Sequence, residues 1–151
     1  MTVLDLKSTE FEVDHKGIAT IWLSRPQRMN AWTGRMHAEY RYLLNKAEQD
    51  PKIRGVIVTG RGRGFCVGGD SQALQGHVEK GGYDAGIKKK LEMPGYGLSD
   101  DFDAFFAYHY GLSKPVIAAI NGPAAGVGLA LACFADIRFS VPKVKLTTAH
   151  G

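Results

Sequence analysis

The sequence has very little cysteine. Cys66 and Cys133 are the only two in 151 residues, and they supply neither a disulfide framework nor a metal-ligand spacing. No metal site is expected, and a reducing, cytoplasmic setting is. The fingerprints of several common ligand sites are also missing. No Gly-Lys-Ser or Gly-Lys-Thr occurs, which excludes a P-loop. Gly126-Val127-Gly128 does not extend to a dinucleotide fingerprint, because position 131 is Leu. No G-x-S-x-G nucleophile elbow is present either. The opening residues MTVLDLKSTEFEVDHKG mix charged and apolar residues and hold no signal-peptide core. The longest mainly apolar stretch, 115–134, is broken by Asn121-Gly122-Pro123, which predicts strand, turn and helix rather than a membrane span.

What is abundant is glycine, 19 residues against 6 prolines. Five glycines and two arginines fall within residues 60–69 (GRGRGFCVGG), and Asp70 follows. Glycine in such density costs folding entropy, so it marks sharp turns or close backbone approach. With 44% hydrophobic and 23% charged residues, the chain has the composition of one soluble globular domain, taken as residues 1–151. A formal charge of +4 suits an anionic small ligand as well as nucleic acid. The RGRG run is not interleaved with aromatic residues, which argues against a nucleic-acid partner.

Residues 11–14 and 18–23 are short β-prone runs around His15-Lys16-Gly17, a hairpin signal. Residues 33–49 place Met36, Tyr40, Leu43, Leu44 and Ala47 on one helical face, and Asp50-Pro51 ends that helix. GVIVT (55–59) and VIAAI (116–120) have the character of strands covered on both faces. A helix is expected over 100–110, another over 126–134, and a strand over 136–139. The segment 76–97, with its Lys88-Lys89-Lys90 run, shows no clear period and is expected to be a mobile loop holding at most one helix. This alternation is that of parallel α/β structure.

A glycine-rich loop follows a buried strand twice: GVIVT leads into GRGRGFCVGGD, and VIAAI into NGPAAGVGLALA. Loops at strand carboxyl ends lie on one side of a parallel sheet, where ligands bind. The second loop also opens a helix, whose first N–H groups lack partners and favour negative charge. Together they are the apparatus of an oxyanion site.

Three segments carry a resemblance to the enoyl-CoA hydratase/isomerase (crotonase) superfamily: SRPQRMNAW (24–32), GVIVTGRGRGFCVGGD (55–70) and KPVIAAINGPAAGVGLALACFADIRFS (114–140). The chain is similar to the N-terminal part of a typical member. The resemblance implies a crotonase-like (ClpP/crotonase) α/β spiral of ββα units, truncated before the C-terminal helical region. It implies an acyl-CoA thioester as substrate, with coenzyme A as part of that substrate and no separate cofactor. For the full-length parent it implies a homotrimer or hexamer.

The resemblance places two backbone N–H donors to the thioester oxygen at Gly69 and Val127. It makes Arg28, Met29 and Ala31 candidates for the adenosine end of coenzyme A, with Val67, Gly68, Asp70, Ser71 and Ala130 nearby. Arg61 and Arg63 are further candidates for ligand phosphates, and Asp70 is also a candidate cap for the helix after it.

The family's hydratases use two glutamates, and Ala130 stands where the first would be. The second falls at or near His150, a possible acid or base near neutral pH; Asp70 and Asp103 are alternatives, while His109 reads as a packing or surface residue. The expected function is therefore that of an enoyl-CoA hydratase/isomerase-like enzyme, lyase or isomerase. The alternatives are a non-catalytic thioester binder or inactive fragment and, more remotely, RNA binding.

Overall fold

The computed structural model describes residues 4–81, 86–87 and 106–148. Five strands form a mixed sheet in the order β1-β2-β3-β4-β6: β1 (Thr9–Val13), β2 (Ile18–Leu23), β3 (Gly55–Gly60), β4 (Val116–Ile120) and β6 (Ile137–Ser140). The β1–β2 pair is the antiparallel hairpin its turn residues predict, and the other neighbours pair in parallel. A second sheet, unexpected from sequence, joins β5 (Ala124–Ala125) to β7 (Leu146–Thr147). It is too short to show a periodic pattern.

Helix α1 (Gly34–Gln49) starts at Thr33, whose Oγ1 accepts from the Met36 N–H. Its buried residues are Met36, Tyr40, Leu43, Leu44 and Ala47, the face its spacing predicts, together with Glu39. The Lys114 ammonium finishes the helix by donating to the Ala47 and Asp50 carbonyls. The core runs from this helix through Ala19, Ile21, Leu23, Val56, Val58, Val116 and Ala118 of the central strands.

Sequence and structure differ after the glycine loop. The polar stretch forms α2 (Ser71–Lys80), with Asp70 as its N-cap and Gly81 as its left-handed C-cap. This helix buries none of its residues, so its apolar periodicity is weak and its caps carry the signal. Of the helix expected over 100–110, residues 100–105 lie outside the described residues. Ala107–Gly111 form a 3-10 helix instead. Lys88–Lys90 and Asp103 also lie outside the described residues. Helix α3 (Val127–Phe134) and β6 fall where expected. On β6 and just beyond, Ile137, Phe139 and Val141 are exposed. Among the described residues no helix is long and apolar enough to cross a membrane.

Two buried polar groups fasten the core. Glu39, fully buried, accepts from the Lys7 and Ser8 N–H groups, the Thr9 hydroxyl and the Arg35 guanidinium, tying the start of β1 to α1. His109 bridges the Tyr40 hydroxyl at 2.8 Å and the Phe106 carbonyl at 2.7 Å inside a cluster that includes Phe134. It is thus a packing residue, as the sequence suggested.

Removing the Glu39 side chain strands three donors and the Arg35 charge. Glu39→Ala is expected to cost about 3 kcal/mol of unfolding free energy, read by urea denaturation. Burial holds the His109 pKa below its ordinary value of 6.5. The native state therefore prefers the neutral ring, and the associated stability is full above about pH 6.5. It is lost as pH falls from there through the depressed value. His109→Phe is expected to flatten that part of the stability–pH curve.

Candidate active site

The first glycine loop leaves β3 at Gly60 and is held by two asparagines, one from each neighbouring motif. Asn30 is fully buried and donates to the Arg61 and Gly64 carbonyls, both at 2.9 Å, while its own Oδ1 accepts from the Arg25 N–H. Asn121 accepts from the Gly60 N–H at 3.0 Å and donates to the Gly62 carbonyl at 3.0 Å. Neither asparagine was singled out from sequence. The available signal was their place in SRPQRMNAW and NGP, each just after a strand end.

The two loops lie side by side. The Phe65 N–H donates to the Pro123 carbonyl, and the Ala125 N–H to the Cys66 carbonyl at 3.0 Å. Cys66 and Ala124 form a parallel bridge. Behind that bridge, Gly128 on the first turn of α3 rests on Cys66: a Cβ there would stand 2.1 Å from the Cys66 carbonyl oxygen. Only a residue without a side chain allows this approach. Burial pushes the Cys66 thiol up to about 11, so it is a packing group rather than a nucleophile.

The peptide planes set the two candidate N–H groups. Trp32 donates its N–H to the Gly68 carbonyl at 2.7 Å and accepts from the Asp70 N–H at 2.8 Å. In a planar trans peptide the carbonyl and the following N–H point in opposite directions. Trp32 therefore holds the Gly69 N–H facing away from itself. In the second loop, Gly126 turns the chain with φ 51° and leaves the helix start without a side-chain cap. The Ala130 N–H donates to the Gly126 carbonyl at 3.0 Å, so the same peptide plane aims the Val127 N–H out of the helix end. Among the described residues, neither N–H has a hydrogen-bond acceptor.

Asp70 is committed to structure. Its Oδ1 caps α2 by accepting from the Gln72 and Ala73 N–H groups, and its Oδ2 meets Arg25 at 3.1 Å and Arg28 at 3.4 Å. Burial by itself would raise its pKa; the Ala73 N–H and the Arg25 guanidinium outweigh that and hold it below the usual carboxylate range. Ser71 is the first residue of α2.

Arg28 lies against Asp70 with its side chain 41% exposed. Met29 has φ 50°, and its carbonyl accepts from the Val67 N–H. Ala31 is buried and offers its carbonyl to Arg25. Of the two loop arginines, Arg61 pairs with Glu10 and stacks on Trp22, 4.1 Å from the ring centre, which ties it to the sheet rather than to a ligand phosphate. Arg63 Nε reaches the Met29 sulfur at 3.2 Å. Ala130 is half-buried on α3 and brings no titratable group. His150 lies outside the described residues. Among the described residues there is no cluster of three or more His, Cys, Asp or Glu side chains able to hold a metal ion.

The family model for enoyl-CoA hydratase/isomerase matches residues 14–148. This chain belongs to that family. It is 35% identical over 146 residues to the 1,2-epoxyphenylacetyl-CoA isomerase of Escherichia coli, covering 94% of this chain and 52% of that one. Its fold matches an enoyl-CoA hydratase/isomerase from Mycobacterium paratuberculosis with a TM-score of 0.72 at 30% identity, over 94% of this chain and 51% of the other. It also matches the enoyl-CoA hydratase EchA12_1 of Mycobacterium marinum with a TM-score of 0.64 at 32% identity, covering 92% and 53%. The crotonase-like α/β fold is thereby established, and the chain spans about half the length of the curated relatives it matches.

Gly128→Ala is expected to destabilise this family member by about 1–3 kcal/mol, because backbone must move to admit the methyl group. Gly76→Ala, where an added Cβ meets nothing within 4 Å, should instead be neutral or stabilise by up to about 1 kcal/mol. Thermal melts of the pair check the difference.

Proposed function

We propose that the Gly69 and Val127 N–H groups jointly hold the thioester oxygen of an acyl-CoA while an enolate forms. The observation that supports this most is the pair of donors without acceptors among the described residues, each oriented by a braced peptide plane, on loops stitched together at Cys66 and Ala124. A base removes a proton from the carbon next to the thioester carbonyl. The electron pair of that C–H bond moves into a new C=C bond, and the carbonyl π electrons move onto oxygen. Two preorganised donors stabilise that oxygen, each contributing about 3–4 kcal/mol to barrier lowering. Returning a proton at another carbon completes an isomerisation.

Ala130 removes one of two carboxylates that hydration would use, which favours enolate chemistry with a single base. His150 is the proposed acid or base. The Escherichia coli relative, by its name, isomerises a CoA thioester, which is compatible with this reaction class. No cofactor beyond the coenzyme A of the substrate is needed for these steps. The carbonyls of Met29 and Ala31 and the guanidinium of Arg28 lie beside the first loop, and we assign the coenzyme A end to that side. Ala130 also supports a second reading, a member that binds acyl-CoA without turning it over.

Incubation with a saturated acyl-CoA in deuterated water separates the two, with proton NMR following the α-hydrogens. Exchange above the uncatalysed rate is expected; binding with background exchange would leave only the second reading. Val127 is the first residue of α3, a position that tolerates proline. Val127→Pro deletes the donor while keeping the helix, and is expected to slow exchange about 10²–10³-fold. An unchanged rate in that variant would remove the oxyanion assignment.

A further inference from the structure

His109 does more than fill space. Its Nδ1 lies 2.7 Å from the Phe106 carbonyl oxygen, and a carbonyl oxygen can only accept, so Nδ1 carries the ring proton. Nε2 is then the acceptor for the Tyr40 hydroxyl at 2.8 Å. Burial pushes the Tyr40 phenol up from its ordinary value, so that hydroxyl keeps its proton to donate. One neutral tautomer thus ties the 3-10 helix Ala107–Gly111 to the middle of α1.

From that tie a chain of contacts leads to the first glycine loop. The Phe106 ring meets the Trp32 indole edge to face, with 5.3 Å between ring centres. Tyr40 and His37 of α1 meet the same indole at 5.9 and 6.0 Å. The Trp32–Gly69 bridge is a single rung outside the strands, so its place depends on how the buried indole packs. Through that rung Trp32 holds the Gly68 carbonyl and the Asp70 N–H. It thereby sets the peptide plane of the Gly69 N–H.

The tie is sensitive to acid. A second ring proton would sit on Nε2, against the Tyr40 hydroxyl that donates to it. It would also bring a charge among the rings of Phe106, Tyr108 and Phe134. The Phe106 carbonyl and the Asp136 charge favour that proton, and burial outweighs both. Arg41 stands over the Tyr108 ring at 5.2 Å, and the His37 ring lies 5.9 Å from that of Phe106; positive charge on either adds repulsion.

We propose that His109 is a positioning residue for the Gly69 donor: its neutral ring docks Phe106, Phe106 seats Trp32, and acid releases the set. The inference rests on the oxyanion role proposed above for Gly69.

The full chain carrying Trp22→Phe keeps Trp32 as its one tryptophan and serves as the reference protein. Its emission, and the α-hydrogen exchange of a saturated acyl-CoA, are followed from pH 8 to pH 5. The emission is expected to shift to the red as pH falls below about 6.5, before circular dichroism shows unfolding. In the same background, His109→Gln supplies an amide that donates to Phe106 and accepts from Tyr40 without titrating. It should abolish the shift and keep exchange at pH 8 close to the reference rate. His109→Phe should lower the maximal exchange rate at pH 8 about tenfold with KM little changed, since a misplaced donor is felt where charge develops. The ratio of the reference rate to that of His109→Phe should fall toward one by pH 5, and titration of the catalytic base cancels in this ratio. His37→Phe should leave the acid shift in place. Melting curves at pH 8 confirm that the variants are folded. The proposal is overturned by an emission that ignores acid, or by a shift that persists in His109→Gln or vanishes in His37→Phe. Exchange at pH 8 that is equal in the reference protein and His109→Phe overturns this role alone. Absence of exchange in the reference protein at every pH overturns the oxyanion reading and this role together.

Discussion

The arrangement depends on one close contact: the carbonyl of Cys66, which accepts the Ala125 N–H while Gly128 presses against it from α3. This single carbonyl joins the loop after β3 to the loop after β4 and sets the start of α3 relative to both. Two strands paired in parallel bring their carboxyl ends to the same edge, but pairing alone leaves the loops beyond them undetermined. The Cys66–Ala124 bridge continues the pairing past the sheet and removes that freedom. A side chain at Gly128 would push the loops apart, so the glycine there answers to steric contact and not to conformational need.

The same economy governs the charges around the first loop. Asp70 serves three elements at once: it caps α2, anchors Arg25 and Arg28, and donates its own N–H to Trp32. A buried carboxylate is tolerated because each of its oxygens has donors. Since it is next to Gly69, whatever holds Asp70 also holds the peptide planes on either side of the candidate donor. Glu39 plays the corresponding part farther back, fastening the N-terminal segment to α1. Arg25 and Arg35 are the partners of these two carboxylates, each held by a charge-paired hydrogen bond.

Much of the fold was legible before any coordinates. The buried face of α1 matched its spacing residue for residue, because five apolar side chains at helical intervals have one way to leave water together. β2, β3 and β4 were equally plain, as short β-branched runs between turn residues. What was missed has little periodicity to show. Helix α2 lies on the surface with no buried residue, so its only marks are an Asp before it and a Gly after it. The two residues of β5 become a strand only because Leu146 and Thr147 come alongside.

The sequence by itself determined the family, the order of β1 to β4, α1, α3 and β6, and the two glycine-rich segments that follow buried strands, since these are written in local patterns of apolar and turn-forming residues. Tertiary structure alone decided that Asn30 and Asn121 pin the first loop and that Arg61 turns to Glu10 and Trp22. It also decided that Asp70 is held in place rather than offered for chemistry. Those partners lie 31 or more residues apart along the chain in the Asn30–Arg61, Asn121–Gly62, Arg61–Glu10 and Arg25–Asp70 contacts. A hydrogen bond between distant residues leaves no trace in the pattern of either segment until the sheet has brought the two together.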